Sequence, residues 1–140
     1  MSAKGPIVII EDDLDDQLLL GEIFNDIKVD NPVLYFSDAK EALLYLQTTT
    51  DRPFIIICDV NLPKVNGLEL KRIIDSDKQL RKKSIPFIFY STAVSQQAID
   101  DAYMNLNIQG FFQKGHNYAE IKELVRCMVD YWLHCWHPNT

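Results

Sequence analysis

Residues 54–70 read FIIICDVNLPKVNGLEL, which places the acid Asp59 directly after five residues that are typical of a buried strand. Removing an ionised carboxylate from water is costly, so a charge at this point in the chain needs a reason. We expect Asp59 to face a polar crevice at the tip of a strand, where its carboxylate can take part in chemistry.

Four more short runs share the apolar, β-branched or aromatic character of the run before Asp59. They are IVII at 7–10, VLYF at 33–36, FIFY at 87–90 and GFFQ at 110–113. A segment with helical periodicity follows each of the five runs. Strict alternation predicts an α/β fold with a doubly wound, mainly parallel sheet of five strands flanked by five helices. The runs at 7–10 and 54–58 are uniformly apolar and should be central.

The composition is that of a globular protein with a sizeable core. The 140 residues are 47% apolar and no linker interrupts the pattern, so we expect a single domain over 1–140 without an output domain. The formal charge of -6 disfavours a nucleic-acid binder, because such proteins neutralise phosphates with Lys and Arg. We expect the basic residues Lys78, Arg81, Lys82 and Lys83 to form a solvated helix end or loop.

The lack of a recognisable targeting signal and the spacing of the cysteines lead us to expect a cytoplasmic protein. The sequence has no segment typical of a membrane span or a signal peptide, and its three cysteines should be reduced. The C-terminal residues Cys127, His134, Cys135 and His137 do not have the spacing of a zinc site, since two helical turns separate the first two.

Four of the five predicted strands deliver polar side chains to one edge of the sheet. Glu11, Asp12 and Asp13 follow the first strand, Asp59 the third, Ser91 and Thr92 the fourth, and Lys114 the fifth. Ligands of such sheets bind at this edge, near the topological switch point. Carboxylates about 4 Å apart repel by about 4 kcal/mol at an effective dielectric of about 20, so the acids need a counter-charge. A divalent cation such as Mg²⁺ can supply it.

The same group of residues suits phosphoryl transfer. An aspartate carboxylate can attack phosphorus to form an aspartyl phosphate. The charge on the phosphoryl oxygens can then be shared by a metal ion at Asp12, the ammonium of Lys114 and the hydroxyl of Ser91, with Asp59 as the nucleophile.

Several of these acids also have a simpler alternative role. Asp13, Asp15 and Asp16 are expected to cap the following helix or to stabilise its positive end. A turn role for Asp59 is conceivable because DVNLPKVNG is rich in turn formers. That role explains neither Lys114 nor the acids after the first strand.

These residues resemble the receiver domain of bacterial two-component response regulators, and the resemblance extends from about Gly5 to Tyr131. The acid pair corresponds to Glu11 and Asp12, the phosphoacceptor to Asp59, the switch hydroxyl to Ser91 and the strand 5 lysine to Lys114. The loop pattern Asp-x-x-x-Pro-x-x-x-Gly is present as Asp59, Pro63 and Gly67. The resemblance implies a flavodoxin-like strand order of 2-1-3-4-5.

The resemblance also implies a cofactor and a set of roles. Mg²⁺ would be bound by Asp12, Asp59 and the backbone carbonyl of Asn61, with Glu11 acting mostly through water. Ser91 and Phe111 would respond to phosphorylation of Asp59. The face of the fourth predicted helix, strand 5 and the last helix would then change its affinity for a downstream protein target.

The implied phosphodonor is a sensor histidine kinase or a histidine phosphotransfer protein, docking around Leu14 and Leu18. Such a protein is not an enzyme in the ordinary sense, since it catalyses only its own phosphorylation and dephosphorylation. The aromatic terminal helix leaves a monomer or a homodimer open.

Two departures from the family pattern keep alternatives open. Gly115 stands where the family usually has a cis-proline after the lysine, so Lys114 could be aimed differently. Either Ser91 or Thr92 could be the switch hydroxyl, and strand alternation with Phe87 and Phe89 favours Ser91. A degenerate receiver that binds partners without phosphorylation is the first alternative function. An Asp-nucleophile phosphatase of the haloacid dehalogenase type and a nucleotide-binding protein are weaker ones.

Overall fold

Five parallel strands lie in the order β2-β1-β3-β4-β5 in the computed structural model, which describes residues 5–138. The strands are β1 (Ile7–Ile10), β2 (Val33–Phe36), β3 (Ile55–Cys58), β4 (Phe87–Ser91) and β5 (Gly110–Gln113). The helices are α1 (Leu14–Asp26), α2 (Ala39–Thr48), α3 (Gly67–Ser76), α4 (Lys78–Lys83), α5 (Gln96–Asn105) and α6 (Tyr118–His134). The predicted doubly wound sheet and its flavodoxin-like strand order are confirmed.

The three inner strands β1, β3 and β4 are buried along their whole length. Alternate side chains of these strands enter two separate core layers, as the twofold period of a strand requires. The layer that includes Val8, Ile56 and Phe89 packs against α2, α3 and α5, and the layer that includes Ile9, Ile57 and Tyr90 packs against α1 and α6. Helices on both faces explain why these strands read as continuous apolar runs.

Side-chain caps fix where the helices begin. Asp13, Asp38, Asn66, Ser95 and Asn117 each accept hydrogen bonds from backbone N–H groups in the first turn of the next helix. The cap role expected for Asp13 is therefore confirmed. Two of these caps, Asp13 and Asn66, lie in the loops that carry the acids after β1 and β3.

The helix count differs from the sequence-based expectation by one. Residues Lys78–Lys83 form the short helix α4, where we expected a solvated helix end or loop and hence five helices in all. The carboxylate of Asp77 accepts hydrogen bonds from the N–H groups of Gln79 and Leu80, and the side chain of Leu80 is buried. The Asp77 cap and the buried Leu80 side chain stabilise this short helix after α3.

The C-terminal segment packs against the domain in part. Trp132 packs against the α1–α6 core layer, whereas Tyr131 and Trp136 are exposed, Trp136 to 94%. His137 is buried and its Nε2–H donates to the backbone carbonyl of Phe54 at 2.6 Å. None of the helices within residues 5–138 combines the length and the apolar character that a bilayer crossing requires.

Candidate functional site

The loops after β1, β3 and β5 continue the hydrogen-bond ladder of the sheet. The N–H of Asp59 donates to the carbonyl of Ile10 at 2.9 Å, and the N–H of Lys114 donates to the carbonyl of Ser91 at 2.9 Å. These hydrogen bonds fix the backbone of Asp59 and Lys114 at the same edge of the sheet. The convergence expected from the sequence is present in the fold.

Asp59 lies at the centre of this edge, and its side chain is engaged at both oxygens. The hydroxyl of Ser91 donates to Oδ1 at 2.6 Å and the N–H of Asn61 donates to the same oxygen at 3.1 Å. Nζ of Lys114 donates to Oδ2 at 3.1 Å. Only 7% of the residue is exposed, so these three donors carry much of the solvation that water would otherwise give.

Lys114 contacts three carboxylates at once. Its Nζ lies 3.1 Å from Oδ2 of Asp59, 3.2 Å from Oε2 of Glu11 and 2.9 Å from Oδ2 of Asp16. The ammonium also lies 5.7 Å from the centre of the Tyr90 ring. The lysine is thus the counter-charge of the acid cluster, and the Gly115 that follows it does not prevent this contact.

The two buried acids differ in ionisation. Burial, the hydrogen bond with Asp59 and the charge on Asp59 raise the pKa of Glu11 to about 9. Burial alone would raise the pKa of Asp59 as well, but hydrogen bonds from Glu11, Ser91 and the Asn61 N–H, together with the charge on Lys114, lower it. Asp59 is therefore the ionised member of the pair, the form that a nucleophile needs.

The ammonium of Lys114 is also held in its charged form. Burial by itself would lower the pKa of Lys114. The hydrogen bond to Asp16 and the charges on Glu11 and Asp59 outweigh burial and raise the pKa above its usual range. A permanent positive charge therefore sits beside the Asp59 carboxylate.

The acids fit a divalent cation. Glu11, Asp12 and Asp59 each offer a carboxylate oxygen, and these oxygens lie within 4.8 Å of one another. Asp12 is exposed while the other two are buried, which leaves the cluster open to solvent on one side. Hard cations prefer such oxygen ligands and keep several waters. Asn61 contributes its backbone N–H and its side-chain amide here; the role of its carbonyl as a ligand stays a prediction.

Asn61 also links the loops after β3 and β4. Its Nδ2 lies 3.4 Å from Oγ of Ser91 and 3.3 Å from the carbonyl of Ala93. Ser91 is buried and bonded to Asp59, whereas the neighbouring Thr92 is exposed. Ser91 rather than Thr92 therefore contacts Asp59, and its role as the switch hydroxyl stays a prediction.

Phe111 connects this region with the outer surface of the domain. Its ring packs against Phe89 at 5.3 Å and against Tyr103 at 6.3 Å between ring centres. Ser91, Thr92, Tyr103 and Phe111 all line one groove with a volume of about 440 Å³. The Phe111 ring therefore lies between the core residue Phe89 and the exposed side chain of Tyr103 on α5.

Gly67 closes the loop that carries Asp59. Its N–H donates to the carbonyl of Val60 at 2.8 Å. A Cβ at this position would meet the backbone carbonyl of Asp59, Cα of Val60 at 3.0 Å and the Phe89 ring at 3.1 Å. The backbone that shapes the site thus leaves no room for a side chain here.

We expect Gly67→Ala to lower the free energy of unfolding by about 1–3 kcal/mol, because an added methyl must displace backbone atoms. Urea denaturation measures the change. Gly21→Ala is the matched control, since it lies inside α1 and a Cβ there meets only the hydroxyl end of Tyr35, at 3.2 Å. That substitution should be neutral or stabilising. Equal midpoints for both variants would contradict the close packing at Gly67.

Sequence reasoning missed the contact between Asp16 and Lys114. Asp16 lies in the first turn of α1, as a helix-stabilising acid would, but its carboxylate bonds Lys114 rather than only favouring the helix end. The available signal was weak: an acid one helical turn after Asp12, at the edge where the strands end. The other expected residues, Glu11, Asp12, Asp59, Ser91 and Lys114, lie at the site.

Comparisons with known proteins agree with this architecture. The family described as response regulator receiver domain matches residues 7–126. Response regulator Rcp1 of Synechocystis sp. is 25% identical over 132 residues, which are 91% of this chain and 88% of Rcp1. The probable methanogenesis regulatory protein FilR2 of Methanothrix harundinacea is 27% identical over 139 residues, which are 95% of this chain and 88% of FilR2.

A solved structure shows the same fold. The phosphorylated cyanobacterial phytochrome response regulator RcpA superposes with a TM-score of 0.85 at 28% identity, covering 96% of this chain and 98% of RcpA.

Proposed function

The chain belongs to the response regulator receiver domain family, and on that premise we propose that Asp59 accepts a phosphoryl group from a phosphohistidine of a sensor histidine kinase or a histidine phosphotransfer protein. The observation that carries the proposal is the ionised, buried Asp59 carboxylate, held between the Ser91 hydroxyl at 2.6 Å and the Lys114 ammonium at 3.1 Å. Receivers act as phosphoacceptors and signalling modules in two-component systems.

The transfer exchanges one bond to phosphorus for another. A carboxylate oxygen of Asp59 forms a bond to phosphorus while the bond from phosphorus to the donor imidazole nitrogen breaks, and the imidazole leaves with the electron pair. Lys114 neutralises negative charge on the phosphoryl oxygens, and the Ser91 hydroxyl donates to one of them. When bound, Mg²⁺ would be held by Asp12, Asp59 and the Asn61 carbonyl, with Glu11 acting mostly through water, and would neutralise charge on the acids and the phosphoryl group.

Phosphorylation would alter the surface through Ser91. In the unmodified protein this hydroxyl donates to Asp59. The hydroxyl would exchange this hydrogen bond for one to a phosphoryl oxygen, and the Phe111 ring, which lines the same groove as Ser91, would move against Tyr103. The face formed by α5, β5 and α6 would then shift its population toward a form that binds a downstream protein.

Helix α1 is the proposed docking surface for the phosphodonor. Leu14 and Leu18 lie one turn apart at its start and are 67% and 69% exposed. Leu14 comes two residues after the site acid Asp12 in the chain. An apolar contact at this point would bring a donor histidine to the Asp59 edge of the sheet.

Incubation of the purified protein with acetyl phosphate and Mg²⁺, followed by intact mass measurement, tests the proposal. The expected result is one added phosphoryl group that is lost in hydroxylamine and does not form in EDTA. The absence of any adduct would instead support the phosphorylation-independent binding module. Continuous release of inorganic phosphate from unrelated phosphate esters would support the phosphatase.

We expect Ser91→Ala to slow phosphorylation by acetyl phosphate about two- to tenfold, the kinetic equivalent of one hydrogen bond worth about 0.5–1.5 kcal/mol. Thr92→Ala is the matched control, because Thr92 is the next hydroxyl in the chain and is exposed. Initial rates of phosphoprotein formation compare the two. A slower Thr92 variant beside an unchanged Ser91 variant would assign the switch to Thr92.

A further inference from the structure

Asp16 is the one carboxylate partner of Lys114 to which the proposed phosphoryl transfer assigns no role. A lysine ammonium has three N–H donors, and the three carboxylates around Lys114 take one each. Glu11 and Asp59 belong to the acid cluster that meets the phosphoryl group and the cation. Asp16 lies outside that cluster, is the closest of the three to Nζ at 2.9 Å, and is more exposed than the others.

Helix α1 holds Asp16 in place. The backbone N–H of Asp16 donates to the carboxylate of the cap Asp13 at 3.2 Å, which fixes the residue in the first turn. Its side chain therefore reaches Lys114 from a rigid element. The two residues are 98 positions apart in the chain, so this contact also ties α1 to the end of β5.

The backbone alone does not hold the Lys114 side chain in one position. This side chain has four rotatable bonds, and fixing it in one geometry costs conformational entropy. The residue that follows is Gly115, and the peptide bonds of residues 5–138 are trans. The loop after Lys114 thus lacks the restraint that a proline ring gives to a backbone.

We propose that Asp16 is a positioning residue, whose salt bridge from α1 holds the Lys114 ammonium where it meets the phosphoryl group on Asp59. The inference rests on the function proposed above. It differs from that function in assigning a role to a residue that touches neither the phosphoryl group nor the metal. When a phosphoryl group occupies Asp59, the two donors used by Glu11 and Asp59 turn to it, and the third stays on Asp16.

Phosphorylation kinetics of Asp16→Ala test the proposal, with Asp15→Ala as the matched control. Asp15 is the neighbouring acid in the same helical turn and is exposed, so its removal deletes the same charge near the site. We expect Asp16→Ala to lower the maximal rate with acetyl phosphate about tenfold, within the roughly hundredfold loss that a misplaced group can cause. The Asp15 variant should stay within about twofold of the wild type, as removal of an exposed charge has little effect.

Two further variants separate positioning from charge and from folding. Asp16→Asn keeps an oxygen that can accept from Nζ, so it should recover most of the rate. In a Lys114→Ala background, Asp16→Ala should cause no additional loss, because the two residues act as one unit. A separate measurement follows the ε-carbon of Lys114 by NMR relaxation, where Asp16→Ala should lower the order parameter without any phosphodonor.

The results distinguish failure of the inference about Asp16 from failure of the proposed function. Equal rates for the Asp16 and Asp15 variants, an unchanged Lys114 order parameter or a faster Asp16→Ala variant would overturn the inference while leaving the proposed function intact. The last of these would mean that Asp16 competes with the phosphoryl group for Lys114. A wild-type protein that takes up no phosphoryl group would overturn the proposed function, and this inference with it.

Discussion

Replacement of Asp59 by asparagine is expected to abolish the uptake of a phosphoryl group. The amide has nearly the same shape, and its oxygen can still accept from Ser91, so the fold should be kept. An amide oxygen is, however, far less nucleophilic than the ionised carboxylate, whose lowered pKa results from its hydrogen bonds and from Lys114. Intact mass after incubation with acetyl phosphate and Mg²⁺ should show the unmodified chain alone.

Asp30→Asn is the control for this substitution, since Asp30 is an exposed aspartate in the loop before β2. It should gain a phosphoryl group as the wild type does. Circular dichroism and a urea midpoint close to the wild-type value would show that the asparagine variants are folded. An Asp59→Asn protein that still gained a hydroxylamine-labile phosphoryl group would mean that another carboxylate is the acceptor.

Replacement of Lys114 by alanine should slow phosphorylation about a hundredfold, the usual cost of deleting one group that stabilises charge in a transition state. The ammonium lies beside Asp59 in a buried setting, where a charge acts more strongly than in water. Initial rates over a range of acetyl phosphate concentrations would place the loss mainly in the maximal rate.

Lys122→Ala provides the comparison, because Lys122 also faces a carboxylate, that of Asp26 at 3.9 Å, but lies on α6 away from the site. Its rate should equal that of the wild type. Equal rates for the Lys114 and Lys122 variants would show that Lys114 only balances charge in the folded protein. They would also favour a degenerate site.

The strands could be predicted closely from their short runs of apolar, β-branched and aromatic residues. Three of the five predicted runs, at 7–10, 33–36 and 110–113, coincide with observed strands, and the other two differ by one residue at an end. A strand covered by helices on both faces has no polar residue until it ends, so the first polar residue marks its tip. This rule predicts Asp59 at the tip of β3, whereas Lys114 comes after Gln113, the exposed last residue of β5.

The helix α4 could not be predicted in this way, because its sequence carries little apolar pattern. Four of its six residues are basic, which is typical of a solvated segment, and its only buried residue is Leu80. The cap at Asp77 is the residue that turns this segment into a helix after α3. A single cap is a weak signal within a run of polar residues.

The contact between Asp16 and Lys114 was hidden for a different reason. An acid in the first turn of a helix already has a sufficient role, since it favours the positive end of the helix. Its reach toward Lys114 depends on how α1 leaves β1, which is a property of the folded backbone. The effect of Gly115 on Lys114 also depends on the folded backbone. The sequence shows only that a proline is missing, while the fold shows that Lys114 still contacts Asp59.

The most direct test is to locate the phosphoryl group within the chain. Borohydride reduces an aspartyl phosphate to homoserine, so treatment of the phosphorylated protein followed by peptide sequencing in a mass spectrometer identifies the acceptor. The account predicts homoserine at position 59 and at no other aspartate. Homoserine at another aspartate, or a phosphoryl group found on a histidine, would contradict it.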